Sequence, residues 1–330
     1  MVNHHSNSSR LSRGYATAVT GAFFLSTTAI FIRYLTQTYQ IPPLILAFWR
    51  DVFVIIFLFP ILLIFRPKLL RITKKDCVYL IAYGFVLATF NALWTLSVAL
   101  NGAAIATVLI YCSAGFTALL GWWLLKEQLH WSKIVAIILS LGGCTIVSGA
   151  INGSAWHSNL VGIFAGILGG LSYAIYSLMG RSASQRGLNP STTLFYTFAF
   201  AMIFLFILNL LPGNFPPGKA MQFSDFIWLR NSWGGWGILF LLAAIPTVAG
   251  FGFYNYSLSY LPSSVANLIM TLEPAFTATT AYIFLGERFT GIQIIGSVIT
   301  LTGVVFLRIY ENILISKTKK SLLQDQAVPT

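Results

Sequence analysis

Four long stretches of this chain contain no Asp, Glu, Lys or Arg: Cys77–Leu125, Ile134–Gly180, Gly187–Gly218 and Asn231–Leu272. A chain built this way cannot cover a water-facing surface. Charged residues make up 8% of it, against about 25% in soluble domains, and hydrophobic residues make up 57%. Mean hydropathy is +0.78. Disorder is excluded as well, because it needs low hydrophobicity and high charge. The class that remains is an all-α polytopic membrane protein whose solvent is the lipid bilayer.

A helix needs about 20 apolar residues to cross the hydrocarbon core. Gly, Pro and Asn punctuation divides the apolar sequence into ten expected spans, at 14–35, 43–65, 76–97, 102–125, 131–150, 159–181, 190–211, 234–258, 262–285 and 291–310. Cytoplasmic loops of such proteins carry the excess of Lys and Arg. With the N-terminus inside, 15 of the 20 basic residues fall on the inner side and four (Arg33, Lys219, Arg230, Arg288) on the outer side. Arg50 is left within span two. The expectation is a multi-pass plasma-membrane protein with both termini cytoplasmic and a retained first span.

The formal net charge of +12 is thereby spent on orientation, and no clustered basic face for nucleic acid remains. Cys77, Cys112 and Cys144 lie in apolar segments without metal-ligand spacing, so buried thiols are expected, with no metal and no cofactor. Trp122, Trp123, Trp131, Trp156, Trp228, Trp233 and Trp236 fall at membrane boundaries, the usual aromatic belt. Trp49 and Trp94 are not explained that way.

Shifted by 160 residues, positions 94–147 lie over 254–307 without a gap and with ten identities, Ala106/Ala266, Phe116/Phe276, Glu127/Glu287 and Gly143/Gly303 among them. Spans one and two match spans six and seven at shifts of 145 and 147. Five spans per unit is an odd number, so the second unit enters from the opposite side. The expected architecture is two inverted five-helix repeats, 14–150 and 159–310, joined by an outer linker at 151–158 and flanked by tails 1–13 and 311–330. Inverted repeats are common in secondary transporters, which place the solute near the midplane between the two units; some channels use them too, so the repeat favours transport and leaves carrier and channel both open.

Glu273-Pro274, then Phe284-Leu285-Gly286-Glu287-Arg288, and the Gly296…Gly303 spacing resemble the EamA repeat of the drug/metabolite transporter superfamily. In the first repeat Lys126-Glu127 stands where the family has Gly-Glu, and Ala114 stands where it has proline. The resemblance implies ten helices around a central cavity that carries amino acids, other metabolites or drugs, often outward.

An ionisable group at a span centre costs about 2.5–3.5 kcal/mol on insertion scales, so each needs a reason. Glu273 is mid-span, followed by Pro274, which lacks a backbone donor and leaves the Met270 carbonyl without its helical partner. Two roles fit the carboxylate: a notch for an ammonium group or a coupled proton, and a structural bond to a neighbouring helix. Arg50 and Asp51 are adjacent on span two and point about 100° apart, so partners on other helices are expected for both. Arg50 could hold a solute carboxylate or neutralise Glu273 or Asp51. Asn91, Trp94, Tyr111, Ser113 and Tyr173 complete the candidate solute-binding set, with Ser172, Asn267 and Thr271 at similar depth. Each of these residue types is, taken singly, more often an ordinary helix–helix contact.

Pro246 and Pro274 break the second unit centrally and nothing comparable breaks the first. Spans eight and nine are therefore expected to hinge while spans three and four move as stiffer bodies; a static kink fits the same prolines. The small residues Ala136…Gly143 and Gly296…Gly303, and Gly162, Gly166 and Gly170, permit close helix approach, read here as packing within a monomer, a dimer being the alternative. Glu127 and Glu287, at span ends, suit capping. No P-loop signature appears, so a gradient, a coupled proton or an exchanged solute must supply the energy. The leading reading is a secondary carrier exporting a small-molecule solute, an amino acid or related compound, by alternating access. An intramembrane enzyme would need clustered His, Asp or Cys, yet His4, His5, His130 and His157 lie outside span centres, so no catalytic residue is assigned. A receptor or scaffold would not need the repeat.

Overall fold

The computed structural model describes residues 4–147, 150, 159–214, 216–285 and 290–325. The expected linker 151–158 and the Glu287-Arg288 end of the repeat motif lie outside the described residues, within which there is no β-strand. Eight helical stretches are long and apolar enough to cross a membrane, from Arg10–Thr38 to Gly291–Tyr310, and Trp131–Ile146 is a shorter apolar helix. The protein is therefore a multi-pass membrane protein.

The first apolar segment forms α1 (His4–Ser26) and α2 (Thr28–Thr38), interrupted at Thr27. Ser26 and Thr27 are the cause: such side chains compete for nearby backbone groups, Ser26 Oγ donating to the Phe23 carbonyl at 2.6 Å and Thr27 Oγ1 to the Phe24 carbonyl at 2.8 Å. Helix α3 (Pro43–Phe65) starts on a proline, whose missing N–H costs nothing at that position. A short 3₁₀ turn (Pro67–Leu70) leads to α4 (Lys74–Tyr111), where the Thr73 hydroxyl accepts from Asp76 N–H at 3.2 Å. Gly166 sees both Ser97 and Leu109, since a Cβ placed there would lie 2.8 Å from Ser97 Oγ and 2.7 Å from Leu109 Cβ. Twelve residues of straight helix span about 18 Å, so α4 folds back on itself between them.

Helix α5 (Ser113–Leu124) follows an interruption at Cys112. This corrects the expectation that nothing breaks the first half centrally. Without proline, the helix still yields at Cys112, and the corresponding place in the second half is the break at Thr271-Leu272 between α11 (Ser263–Met270) and α12 (Glu273–Leu285). That second break also falls earlier than Pro274 alone would place it. Pro274 occupies the first turn of a new helix, where its missing N–H is tolerated, rather than kinking a continuous one.

The remaining elements are α6 (Trp131–Val147), α7 (Leu160–Gln185), α8 (Pro190–Leu210), α9 (Trp233–Leu242), a π-helical stretch (Ala243–Gly250), α10 (Phe251–Ser257) and α13 (Gly291–Asp325). The widened turns surround Pro246, as expected where a helix must absorb a proline, and Thr247 Oγ1 donates to the Leu242 carbonyl at 2.8 Å. Helix α4 packs along α7 and α8, and α6 along α13. The α6–α13 seam is reciprocal: a Cβ at Gly143 would lie 2.5 Å from Thr300 N, and one at Gly303 would lie 2.6 Å from Ser140 Oγ. The segment after α8 is tied down by side chains. Trp49 Nε1 donates to the Phe226 carbonyl (2.6 Å), Trp228 Nε1 to the Tyr39 carbonyl (3.0 Å), and the Asn209 amide oxygen accepts from Ala220 N–H (3.0 Å).

Candidate functional site

The breaks at Cys112 and at Thr271-Leu272 meet. Tyr111 ends α4 and Glu273 begins α12, and the Tyr111 hydroxyl donates to Glu273 Oε2. A carboxylate in the first turn of a helix is favoured by the helix dipole and by the unsatisfied N–H groups there, so breaking the helix in front of Glu273 stabilises the charge that the sequence puts into the membrane. One residue past the first break, Ser113 Oγ donates to Asn267 Oδ1 at 2.9 Å.

Glu273, Tyr111, Arg50, Trp94 and Tyr173 line one cavity. Apolar walls come from Leu25, Phe90, Ile110 and Phe251, and Phe90 stacks on Tyr173 with centroids 5.0 Å apart. Trp94 also borders a second space, lined by Thr36, Gln40, Pro42 and Thr95, so its indole stands between the two.

Arg50 is 2% exposed and pairs with its own neighbour, Nε to Asp51 Oδ1 at 3.3 Å. Of the two expectations, neutralisation of Asp51 is the one met for Arg50, whereas a partner on another helix is met for Asp51 alone. The long arginine stem bends back to the carboxylate because neither charge can be left without a counter-charge in so dry a place. Asp51 Oδ2 accepts from Asn91 Nδ2 of α4, also at 3.3 Å, so a third side chain holds the pair. The Arg50 Nη2 has no partner among the described residues and is fully enclosed.

Three expected solute contacts are thus placed elsewhere. Asp51 and Asn91 sit behind Arg50, and Ser113 belongs to a buried network one ring beyond the cavity wall. In that network Asn267 Nδ2 donates to Ser177 Oγ (3.0 Å), Ser177 Oγ shares a hydrogen bond with Tyr254 OH (2.6 Å), and Tyr254 stacks on Tyr173. Asn255 Nδ2 donates to Tyr176 OH at 2.9 Å nearby. Thr28, Thr107 and Thr247 line the cavity and were not among the candidates. Nothing separates a cavity threonine from one bonded along its own helix until the helices are placed. Of the expected hinge positions, Pro246 lies in the π-helical stretch and Pro274 beside Glu273. Among the described residues no group of His, Cys, Asp and Glu is arranged to hold a metal.

Glu127 binds across the two halves. Its carboxylate accepts from the N–H and hydroxyl of Ser263 (2.7 Å each) and of Ser264 (3.3 and 2.7 Å), capping α11, and Lys133 Nζ donates to Ser264 Oγ at 3.0 Å. This is the capping role expected of a glutamate at a span end.

The chain matches the EamA-like transporter family over residues 12–149 and 160–309. Among curated relatives, it is 29% identical over 244 residues to the uncharacterized transporter sll1319 of Synechocystis, covering 72% of this chain and 68% of that one. It is 28% identical over 235 residues to the threonine/homoserine exporter RhtA of Salmonella typhimurium, covering 70% and 71%. A probable amino-acid metabolite efflux pump of Escherichia coli is 24% identical over 272 residues, with 80% and 85% covered. A solved crystal structure superposes with a TM-score of 0.70 over 91% of this chain and 98% of that chain, at 15% identity, which is a likeness of fold.

Proposed function

The chain belongs to the EamA-like transporter family, and from that premise we propose that it carries a zwitterionic amino acid, or a close relative of one, across the plasma membrane by alternating access. The observation that carries the proposal is that Arg50, whose Nη2 has no partner among the described residues, and Glu273 line one cavity. A guanidinium edge suits a carboxylate, and a carboxylate at a helix break suits an ammonium group. The names of the RhtA and efflux-pump relatives support the same solute class and an outward direction.

In this reading ten spans form two inverted five-helix repeats, both termini are cytoplasmic, and the cavity lies in the outer half of the bilayer. The Ser113–Asn267–Ser177–Tyr254 network and the Glu127 cap on α11 would then lie on its inner side and close it to the cytoplasm. The breaks at Cys112 and Thr271-Leu272, with the widened turns at Pro246, are the places where the halves bend between states. The protein acts as a monomer, because the small-residue faces of α6 and α13 are used against each other. A coupled proton or an exchanged solute supplies the energy.

Counterflow in proteoliposomes tests this. Vesicles loaded with unlabelled L-threonine should accumulate labelled L-threonine transiently, and Arg50→Ala and Glu273→Gln should each reduce the accumulation by about tenfold or more, the value of a charge-assisted hydrogen bond. Equal accumulation by the wild type and both variants would remove the proposal.

A further inference from the structure

We propose that Trp94 is the end wall of the cavity and sets how large a solute side chain it takes, by standing between the cavity and an outer vestibule. This rests on the zwitterion reading above and adds a determinant of size, which neither charge supplies.

Two spaces meet at this residue. The cavity lined by Arg50 and Glu273 and the space bordered by Ile32, Thr36, Gln40 and Leu46 share a single lining residue among those described, Trp94. The packing divides in the same place. Trp94 packs against the apolar cluster that contains Tyr173 and Ile110, and also against the one that contains Ile32 and Leu46. Truncating the indole therefore opens one space into the other.

The ring is held in a way that suits a wall. Phe90 lies one turn before Trp94 on the same face of α4, and the two rings are near parallel, 16° apart in plane with centroids 6.4 Å apart. Phe90 in turn stacks on Tyr173 at 5.0 Å, and Tyr173 on Tyr254 at 5.7 Å. A column of four rings thus runs from the buried Ser177–Tyr254 hydrogen bond to the vestibule, and Trp94 is its outer end. The indoles of Trp49 and Trp236, packed on the same cluster, are pinned by N–H bonds to the carbonyls of Phe226 (2.6 Å) and Arg230 (3.1 Å). Trp94 Nε1 has no hydrogen bond among the described residues. Ring and apolar contacts alone keep it in place, so it selects by shape and not by polarity.

Size discrimination follows from the two charges. Every α-amino acid carries its ammonium and carboxylate on one carbon, so a zwitterion held by Arg50 and Glu273 leaves only the side chain to vary. The apolar walls of Leu25, Phe90, Ile110 and Phe251 receive that side chain, and the indole is where it must end. An apolar pocket distinguishes solutes that differ by one methylene by about tenfold or more.

The test uses the full-length protein in proteoliposomes loaded with unlabelled L-threonine, with labelled L-threonine outside. The reading is the ratio of competition by L-tryptophan to competition by L-alanine. Trp94→Ala is expected to raise that ratio about tenfold or more, and Trp94→Phe, which keeps a smaller ring in place, to raise it less. Val98→Ala, which alters the vestibule and leaves the wall in place, should keep the wild-type ratio. A ratio unchanged in Trp94→Ala, or raised equally by Val98→Ala, overturns this inference and leaves the zwitterion reading standing. Loss of all exchange in a folded Trp94→Ala protein makes the indole a required solute contact and overturns it too. No amino-acid exchange by the wild type overturns both readings. Should Trp94→Ala fail to fold, Trp94→Leu and Trp94→Phe decide by the same ratio.

Discussion

Glu127 holds Ser263 by two hydrogen bonds of 2.7 Å, one from its N–H and one from its hydroxyl, across 136 residues of sequence. The carboxylate does for α11 what an N-cap residue does locally, and it does so from the other half of the chain. Glu127→Ala is expected to lower stability by about 1–3 kcal/mol, combining a lost cap with lost charge-assisted bonds. Ser264→Ala, which removes the 2.7 Å hydroxyl bond and the 3.0 Å bond from Lys133 but leaves the N–H in place, should cost less. Thermal unfolding of the two purified variants in detergent checks the order, and equal midpoints would show that the cap contributes nothing.

Arg50 and Asp51 should behave as a pair. Removing one member strands a buried charge, which costs about 3–5 kcal/mol, so Asp51→Ala should express poorly or melt early. Replacing both with apolar residues, Arg50→Met with Asp51→Leu, should restore stability without restoring transport. Additive single-variant losses in thermal melts would argue against the pairing.

The two charges on the cavity should be separable by solute chemistry. An amine that lacks the carboxylate loses only the Arg50 contact, so Arg50→Ala should weaken competition by L-threonine while leaving competition by its decarboxylated amine nearly unchanged. Arg50→Lys should not rescue, because an ammonium cannot present a planar fork. A competition series against labelled L-threonine reads this directly, and equal weakening for both compounds would contradict it.

Proline 274 should matter less than its position suggests. The matching break at Cys112 forms with Ala114 in the corresponding place, so the interruption does not need the ring. Pro274→Ala is expected to change stability by less than about 1 kcal/mol and to retain counterflow, in contrast to Glu273→Gln. Loss of counterflow in a folded Pro274→Ala protein would show that the ring itself is required.

The α6–α13 seam has no spare room. A side chain at Gly143 would meet the Thr300 backbone nitrogen at 2.5 Å, and overpacking of this kind costs about 1–3 kcal/mol. Gly143→Val should lower the melting temperature, whereas Gly142→Val, facing open space, should not. Matching melts for the two would refute the contact.

The helical class and the membrane setting were legible from charge-free runs, because no other fold survives that composition. The cavity was legible in part. Charged groups within apolar spans are costly enough to announce themselves, so Arg50 and Glu273 stood out, and Trp94 stood out because a boundary role did not explain it. Asp51 and Ser113 stood out for the same polar reason yet lie behind the wall, since depth along a helix does not reveal which face is turned inward. Thr28 carried no signal at all. The break at Cys112 was invisible for a related reason: proline is one cause of a helix interruption, and packing against a partner helix is another.

The stretch that follows α8 is stapled to helix ends by the indoles of Trp49 and Trp228 and by Asn209. Fastened at so many points, it cannot serve as a swinging lid, and its shape should persist through the transport cycle. An antibody fragment raised against this folded epitope would therefore make a state-independent fiducial for electron cryomicroscopy, marking one rim of a particle otherwise too small and too thoroughly wrapped in detergent to align.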